Sequence, residues 1–277
     1  MKTIITHLAP DLDAVAAVWL VKNFFPGWKN AEVKFVPAGK TLDNQPVDSN
    51  PEIIHVDTGL GQFDHHQSSE RSSATKLIFE FIEKNNYVDN FKLQVLQPIV
   101  KYSNDIDNFQ EVFFPNAADD FYDFSLHQIV DGIRYAEKND QIIVEKISEI
   151  LNAVFNVFSS KIKARIDIEK GFVFQSKYGK SIMILSGNGE TLKLAQKMGY
   201  QLVVKKDPKK GFVSIKTIPD KKNDLTPVYE EILKIDKKGS WFLHISKNML
   251  LNGSTKNPHF IPTNLPPEKL IAIIKKI

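Results

Sequence analysis

Apolar positions in this chain follow two rhythms, and the change from one to the other divides it. Lys2 to Thr6 is short and β-branched and predicts a buried strand. Ala14 to Val21 is a continuous apolar run that predicts a helix, with Asp13 placed to cap it and Pro26-Gly27 to end it. Val33 to Val36 and Ile53 to Val56 predict two more strands, giving the strand-helix-strand order of a parallel α/β sheet. Ser72-Ser73 offers an N-cap to residues 74–83, where Leu77, Ile78, Phe81 and Ile82 form one core-facing stripe. Residues 89–103 and 121–136 predict helices, with Pro98 marking a kink or late start in the first. From Asp140 to about Ile168 the spacing of Ile143, Ile147, Ile150, Leu151, Val154 and Phe158 predicts one long amphipathic helix able to join two domains.

Beyond that helix the texture changes to five strand-like runs: residues 172–174, 181–185, 201–204, 212–216 and 241–245. Short helices are predicted around 191–198 and 227–234, a turn at Gly187-Asn188-Gly189, and a charged hairpin turn at Lys205 to Gly211. The pattern therefore predicts an α/β protein with an N-terminal parallel-sheet domain over residues 1–138, a connecting helix over 139–168 and a smaller C-terminal α/β domain over 169–277.

At 277 residues and 42% hydrophobic content, two domains are the natural division. The longest apolar run, Ala14 to Val21, is far short of the roughly 20 residues of a membrane span. His7, Pro10 and Asp11 interrupt any signal-peptide layout, so the expectation is a soluble, cytoplasmic protein without a membrane partner. The absence of cysteine excludes disulfides, thiolate zinc sites and a cysteine nucleophile. A net charge of +3 hides an asymmetry: residues 1–160 carry 13 Lys and Arg against 23 Asp and Glu, and residues 161–277 carry 23 against 10. Most of these charges belong to solvated faces, yet the division also suits an acidic cation site and a basic surface for a polyanion. No phosphate-binding Gly-x4-Gly-Lys loop or Gly-x-Gly-x-x-Gly fingerprint is present.

Three segments carry the chemistry: His7-Leu8-Ala9-Pro10-Asp11-Leu12-Asp13, His55-Val56-Asp57-Thr58-Gly59 and Asp64-His65-His66-Gln67. Each lies at or just beyond the end of an apolar, β-branched run, so one edge of a parallel sheet would collect their carboxylates and imidazoles. Two carboxylates about 4 Å apart repel by about 4 kcal/mol at an effective dielectric near 20, and cations are the natural way to hold several together. Asp11 or Asp13 alone reads more simply as a helix cap. The second strand end, followed by an acid and two adjacent histidines, lifts the cation reading.

These segments resemble the motifs of the DHH phosphoesterase superfamily, which includes RecJ-type exonucleases, oligoribonucleases and family II pyrophosphatases. His7-x3-Asp11-x-Asp13-Ala14 resembles the first motif, Asp57 the second, Asp64-His65-His66 the third and Asn104-Asp105-Ile106-Asp107-Asn108 the fourth. Ser73-Ala74-Thr75 also fits. Phe63 to Gln67, Asp105 to Asn108 and Phe242 to Ser246 are most similar to the melanocyte-proliferating-gene exonucleases, although the first motif departs from that branch in lacking its extra His and Asp-Glu pair. The resemblance implies two divalent ions, with Mn²⁺ the choice for mixed imidazole and carboxylate donors. It implies His7 and Asp11 on one ion, Asp13, His65 and Asp107 on the other, and Asp57 between them, with Asp105 the rival to Asp107. It further implies catalytic roles for His66 beside the scissile phosphate, for Asp64 as its orienting neighbour and for Asp57.

The second half is similar to a DHH-associated substrate-binding domain. Lys216 matches a phosphate-contacting cation there, with an ordinary strand lysine as the alternative. Leu251-Asn252-Gly253-Ser254-Thr255-Lys256 stands where relatives carry a Gly-Gly-His loop, so Asn252, Gly253, Ser254 and Lys256 are candidate substrate contacts, although the His is missing. Trp241, Phe242 and Phe260 are candidates for base stacking or for core. The expected activity is a two-metal phosphodiesterase or exonuclease acting on a phosphate-containing substrate such as a short RNA or DNA oligonucleotide or a nucleotide. Inorganic pyrophosphatase and a non-catalytic nucleotide-binding module are the alternatives.

Overall fold

The computed structural model describes residues 1–253 and 259–277. The chain forms two compact units, Met1–Phe158 and Ser159–Ile277, with the division inside one long helix.

In the first unit β1 (Thr3–His7), β2 (Glu32–Val36) and β3 (Ile53–His55) form a parallel sheet in the order β2-β1-β3. Thr3 pairs with both Glu32 and Ile53, so β1 is the central strand. Because the strands are parallel, their C-terminal ends emerge on one edge, where ligand sites of such sheets form. The chain leaves β1 at His7 and re-enters helix α1 (Leu12–Phe24) after four residues. Every residue of α1 from Leu12 to Val21 is buried, which explains why this helix is apolar all round rather than along a stripe. Its Trp19 donates an indole hydrogen bond to Asn152, 2.8 Å away.

The cap of α1 differs from expectation. Asp11 is the capping residue, accepting from the Ala14 amide at 3.1 Å, whereas Asp13 lies inside the first turn with 2% of its surface exposed. Two aspartates two positions apart compete for one cap, and the outer one takes it because its extended backbone points the carboxylate back along the helix.

Helix α2 (Ala74–Lys84) starts at the predicted Ser73 cap, which accepts from the Lys76 amide. Helix α3 (Asn90–Asp107) runs through Pro98 and continues four residues past the predicted end, so Asn104 to Asp107 belong to its last turn. The expected helix over 121–136 is divided: residues 120–124 form a 3-10 turn and α4 spans Leu126–Ala136. Helix α5 (Asp140–Glu169) is continuous. Ile143, Ile147 and Leu151 join the core formed by α1, α2 and α3.

The second unit contains β4 (Phe172–Ser176), β5 (Gly179–Leu185), α6 (Glu190–Lys197), β6 (Leu202–Lys206), β7 (Val213–Thr217), α7 (Thr226–Ile235), β8 (Phe242–Leu243), β9 (Met249–Asn252) and α8 (Pro267–Lys276). Its sheet runs β4-β5-β6-β7-β9-β8, with β5 and β6 parallel and the other pairs antiparallel. Successive side chains of β5 serve opposite faces: Ile182 and Ile184 pack with Ala164, Ile168 and α6, while Met183 joins the core containing α7 and α8. The β6–β7 connection is the expected charged turn, closed by the Asp207 carboxylate accepting from the Lys209 and Lys210 amides. The predicted strand over 241–245 shortens to two residues, and β9 and α8 have no counterpart in the sequence pattern. The chain is thus a mixed α/β protein, and among the described residues no helix is long and apolar enough to cross a membrane.

Ile147 is fully buried, so Ile147→Ala should lower unfolding stability by about 2–5 kcal/mol in urea titrations. Gly132 lies inside α4 with open space around a new Cβ, so Gly132→Ala should raise stability by about 0.5–1 kcal/mol in the same assay.

Candidate metal centre

The sheet edge gathers its ionisable groups in three overlapping sets whose ligand atoms lie within 4.8 Å of one another: His7, Asp11 and Asp57; Asp13, His65 and Asp107; and Asp57, His65 and His66. Each arrives by a local rule. His7 ends β1, Asp11 caps α1, and Asp13 lies in the first turn of that helix. Asp57 follows β3 in a left-handed conformation, φ 56°, held by its amide bonding the Phe63 carbonyl at 3.0 Å. His65 and His66 leave the turn that follows, and Asp107 ends α3. His55, although in the same segment as Asp57, stays outside the cluster and accepts from the Leu42 amide.

The two candidates at the end of α3 separate cleanly. Residues two apart on a helix point in nearly opposite directions. Asp107 reaches His65, 3.5 Å away, while Asp105 pairs with Lys101 outside the cluster.

Hydrogen bonds orient the set. His7 Nδ1 lies 2.8 Å from the Leu8 carbonyl, so it donates there and leaves Nε2 turned toward Asp57 Oδ2 at 3.2 Å. A metal-ligating imidazole is held in this way, with one nitrogen fixed by a carbonyl and the other free to coordinate. Asp11 uses Oδ1 for the helix cap, which leaves Oδ2 for a ligand. Asp13 accepts from the amides of Ala74 and Thr75 at 2.7 and 3.1 Å and from the Ser103 hydroxyl at 3.2 Å, tying the start of α2 to the cluster. Asp64 is buried, accepts from the Leu60 and His66 amides, and holds His66 Nδ1 at 2.7 Å. The rest of the His66 ring is exposed at the front of the site.

The charges strain one another. Burial pushes the Asp13 carboxyl well above its ordinary range, and the neighbouring Asp57 and Asp107 charges add to the effect. Burial likewise raises Asp107 to about 6, with His65 opposing and Asp57 reinforcing. Burial would raise Asp57 too, but His65 and His7 outweigh it and hold this carboxylate well below the usual range. Burial opposes the charged form of His7, yet its bonds to Asp57 and the Leu8 carbonyl overcome that and raise it to about 9. His65 is raised chiefly by Asp57.

The donor set fits divalent cations. Asp57 Oδ1 and His65 Nε2 are buried with no hydrogen-bond partner, although they lie 3.4 Å from each other. Two complementary atoms left unsatisfied at that distance have the character of ligands that converge on a shared ion. Mixed nitrogen and oxygen donors favour Mn²⁺, Fe²⁺, Co²⁺ or Zn²⁺ over Mg²⁺.

A cavity of about 240 Å³ adjoins the cluster, lined by its Asp11, Asp13 and Asp107 and also by Glu111, His127 and Asp131. The sequence reading missed the latter three. The available signal was weak: His127, Val130 and Asp131 share one face of α4 by their spacing of three and four residues.

In the second unit the expected substrate contacts divide. Lys216 lies on β7, half-buried, with its amine pulled below the ordinary lysine range by burial and then by Lys193. Asn252 is a correction. It is fully buried, its amide donates to the Ser240 and Ile261 carbonyls, and its oxygen accepts from the Thr263 amide, so the side chain is consumed as a staple. Gly253 is buried at φ 81°, and a Cβ there would stand 2.2 Å from the Phe212 ring, so packing explains the glycine. Ser254 and Lys256 lie outside the described residues. Trp241 is core, with its indole donating to Asp236, whereas Phe242 is exposed.

Comparison with known proteins gives a family and several distant likenesses. The family described as ChrB, C-terminal domain, matches residues 4–158. No curated protein matches the chain in sequence. Among solved structures, the chain is similar to Mg²⁺-bound RecJ from Thermus thermophilus at 10% identity and TM-score 0.34, covering 99% of this chain and 49% of that one. It spans about half the length of that RecJ. It is also similar to a DHH domain described as a member of a ribosomal-protein family, at 11% identity and TM-score 0.32 over 99% and 86% of the two chains. An exopolyphosphatase-related protein from Bacteroides fragilis is similar at 12% identity and TM-score 0.27 over 99% and 90%.

The raised imidazoles give a pH signature for metal-free protein. A histidine at about 9 when folded and 6.5 when unfolded stabilises fully below pH 6.5 and loses that contribution as pH rises through 9. Thermal melts should therefore show a falling Tm from pH 6.5 to 9, and added Mn²⁺, which replaces those protons, should offset the fall. A Tm unchanged by Mn²⁺ at about pH 8.5 would contradict this. With residues 4–158 matched, more than half its length, the chain belongs to the ChrB C-terminal domain family.

Proposed function

We propose that the chain is a metal-dependent phosphohydrolase that cleaves a phosphoester, with a short oligonucleotide or nucleotide as substrate and two Mn²⁺ ions as the working pair. One observation carries this reading: two complete donor triads, His7-Asp11-Asp57 and Asp13-His65-Asp107, are adjacent and linked through the Asp57–His65 contact. The resemblance of the four segments to DHH phosphoesterase motifs supports it. His7, Asp11, Asp13, His65 and Asp107 would hold the ions, with Asp57 shared. A bound pair of divalent ions supplies activation of water and neutralisation of phosphoryl oxygens during in-line displacement.

The chain's own groups do the rest. Asp57 is kept ionised by its two imidazole neighbours, so it is a constant negative ligand across neutral pH. Asp64 fixes the His66 ring through Nδ1 and directs the exposed edge of the imidazole outward, where it can donate a hydrogen bond or proton to a phosphate or leaving oxygen. Asp13 couples the site to α2 through two backbone amides and to α3 through the Ser103 hydroxyl, so this ligand is fixed by three helices.

Incubation of a labelled short oligonucleotide with Mn²⁺ should release mononucleotides, and Asp57→Ala should reduce the rate by at least about 100-fold. Asp107→Ala should be comparably impaired while Asp105→Ala stays within about twofold. Survival of the oligonucleotide under Mn²⁺, Co²⁺ and Mg²⁺ would refute the assignment, and phosphate release from pyrophosphate alone would transfer it to a pyrophosphatase.

A further inference from the structure

The 240 Å³ cavity beside the cluster has one wall that the metal centre does not use. His127 contributes to that wall and is only 8% exposed. Its Nδ1 lies 2.7 Å from the Tyr102 hydroxyl, which also lies 3.4 Å from the His127 amide. The amide can only donate, so the tyrosine oxygen accepts from it. When the tyrosine proton is the one given to Nδ1, the ring proton sits on Nε2. This nitrogen has no hydrogen-bond partner among the described residues, and the residue lines the cavity.

Glu111, which lines the same cavity, supplies the complement. Its Oε2 is buried and unpartnered, an acceptor awaiting a donor. Leu12, Ile106 and Val130 give the cavity an apolar lining between these polar groups. An occupant must therefore offer both an acceptor and donors, and must tolerate the negative charge of Glu111 and Asp131. A second phosphate is repelled, whereas a neutral polyhydroxyl group is not. A cation is also disfavoured, because neither Glu111 nor Asp131 brings an oxygen into a set of three converging ligand atoms among the described residues. The volume falls below the roughly 300 Å³ at which drug-sized pockets begin, which suits a single pentose.

We infer that His127 and Glu111 form a sugar subsite that recognises the vicinal hydroxyls of a ribonucleotide whose phosphate is held at the adjacent metal cluster. His127 Nε2–H donates to one hydroxyl oxygen, and Glu111 Oε2 accepts from a hydroxyl proton. Tyr102 is the positioning residue that selects the histidine tautomer. This rests on the phosphoester reading above and extends it by choosing ribose over deoxyribose and over a second phosphate.

The test is binding to Mn²⁺-loaded protein by calorimetry, with inorganic phosphate, AMP and 2′,3′-dideoxy-AMP as probes. Native protein should bind AMP at least about tenfold more tightly than the dideoxy analogue, since the analogue leaves Glu111 Oε2 buried and unpaired and gives His127 no partner. Glu111→Gln and His127→Phe should each reduce that ratio toward one while phosphate affinity stays within about twofold. Glu111→Gln changes a single atom on a partly exposed residue, so it keeps the test open if His127→Phe does not fold. An unchanged ratio in Glu111→Gln, with phosphate still bound, overturns the subsite and leaves the phosphoester reading standing. Failure of the native protein to bind phosphate or AMP overturns that reading and the subsite with it. An additional Mn²⁺ bound by native protein and lost in Glu111→Gln would make the cavity a cation site and also overturn the inference.

Discussion

Mutual repulsion among Asp13, Asp57 and Asp107 is the constraint around which the first unit is organised. Three carboxylates at one sheet edge cost several kcal/mol in pairwise repulsion even at a generous effective dielectric, and the fold brings them together regardless. Their opposed shifts show how the metal-free chain accommodates this: Asp57 stays ionised under two imidazoles, while Asp13 and Asp107 hold their protons more tightly. A cluster that is electrostatically adverse alone and complete as a donor set is a site whose stability is completed by a ligand.

The fold supports this by making the adverse groups hard to move. β1 is the central strand of a parallel sheet, α1 is buried on every side through Val21, and Asp13 is anchored to the first amides of α2. Relaxation by swinging one carboxylate away would strand those amides without acceptors. The left-handed backbone at Asp57 adds a second constraint, because the amide bond to Phe63 holds the backbone from which its carboxylate projects. The neighbouring cavity extends the same economy of placement: α3 delivers Asp107 and Tyr102, and α4 brings His127 against Tyr102.

Much of this was legible in the sequence because it depends on local order. The parallel strands, the α2 cap at Ser73 and the long α5 followed from period, capping residues and apolar spacing. The first three acidic and histidine segments were readable because strand ends in parallel sheets share an edge, whereas the fourth, at the end of α3, was readable only through its resemblance to a DHH motif. What failed depended on contacts distant in sequence. The cap of α1 could not be assigned between Asp11 and Asp13 without knowing that α2 claims the latter. Asn252 read as a polar loop residue, yet its three bonds run to residues 240, 261 and 263. Strand β9 is four residues long, and α8 follows a Pro-rich stretch, so neither had a clear periodic signature. His127 and Glu111 are brought to the cluster by a helix and a separate turn, a juxtaposition no spacing rule encodes.

The central claim is that this edge holds two divalent ions through a shared aspartate. Mn²⁺ titration followed by electron paramagnetic resonance tests it directly, because neighbouring Mn²⁺ ions give a spin-coupled spectrum and isolated ions do not. The account expects two Mn²⁺ per chain with a coupled signal, and loss of the coupling in Asp57→Asn. One ion per chain, or two uncoupled ions in the native protein, would contradict it.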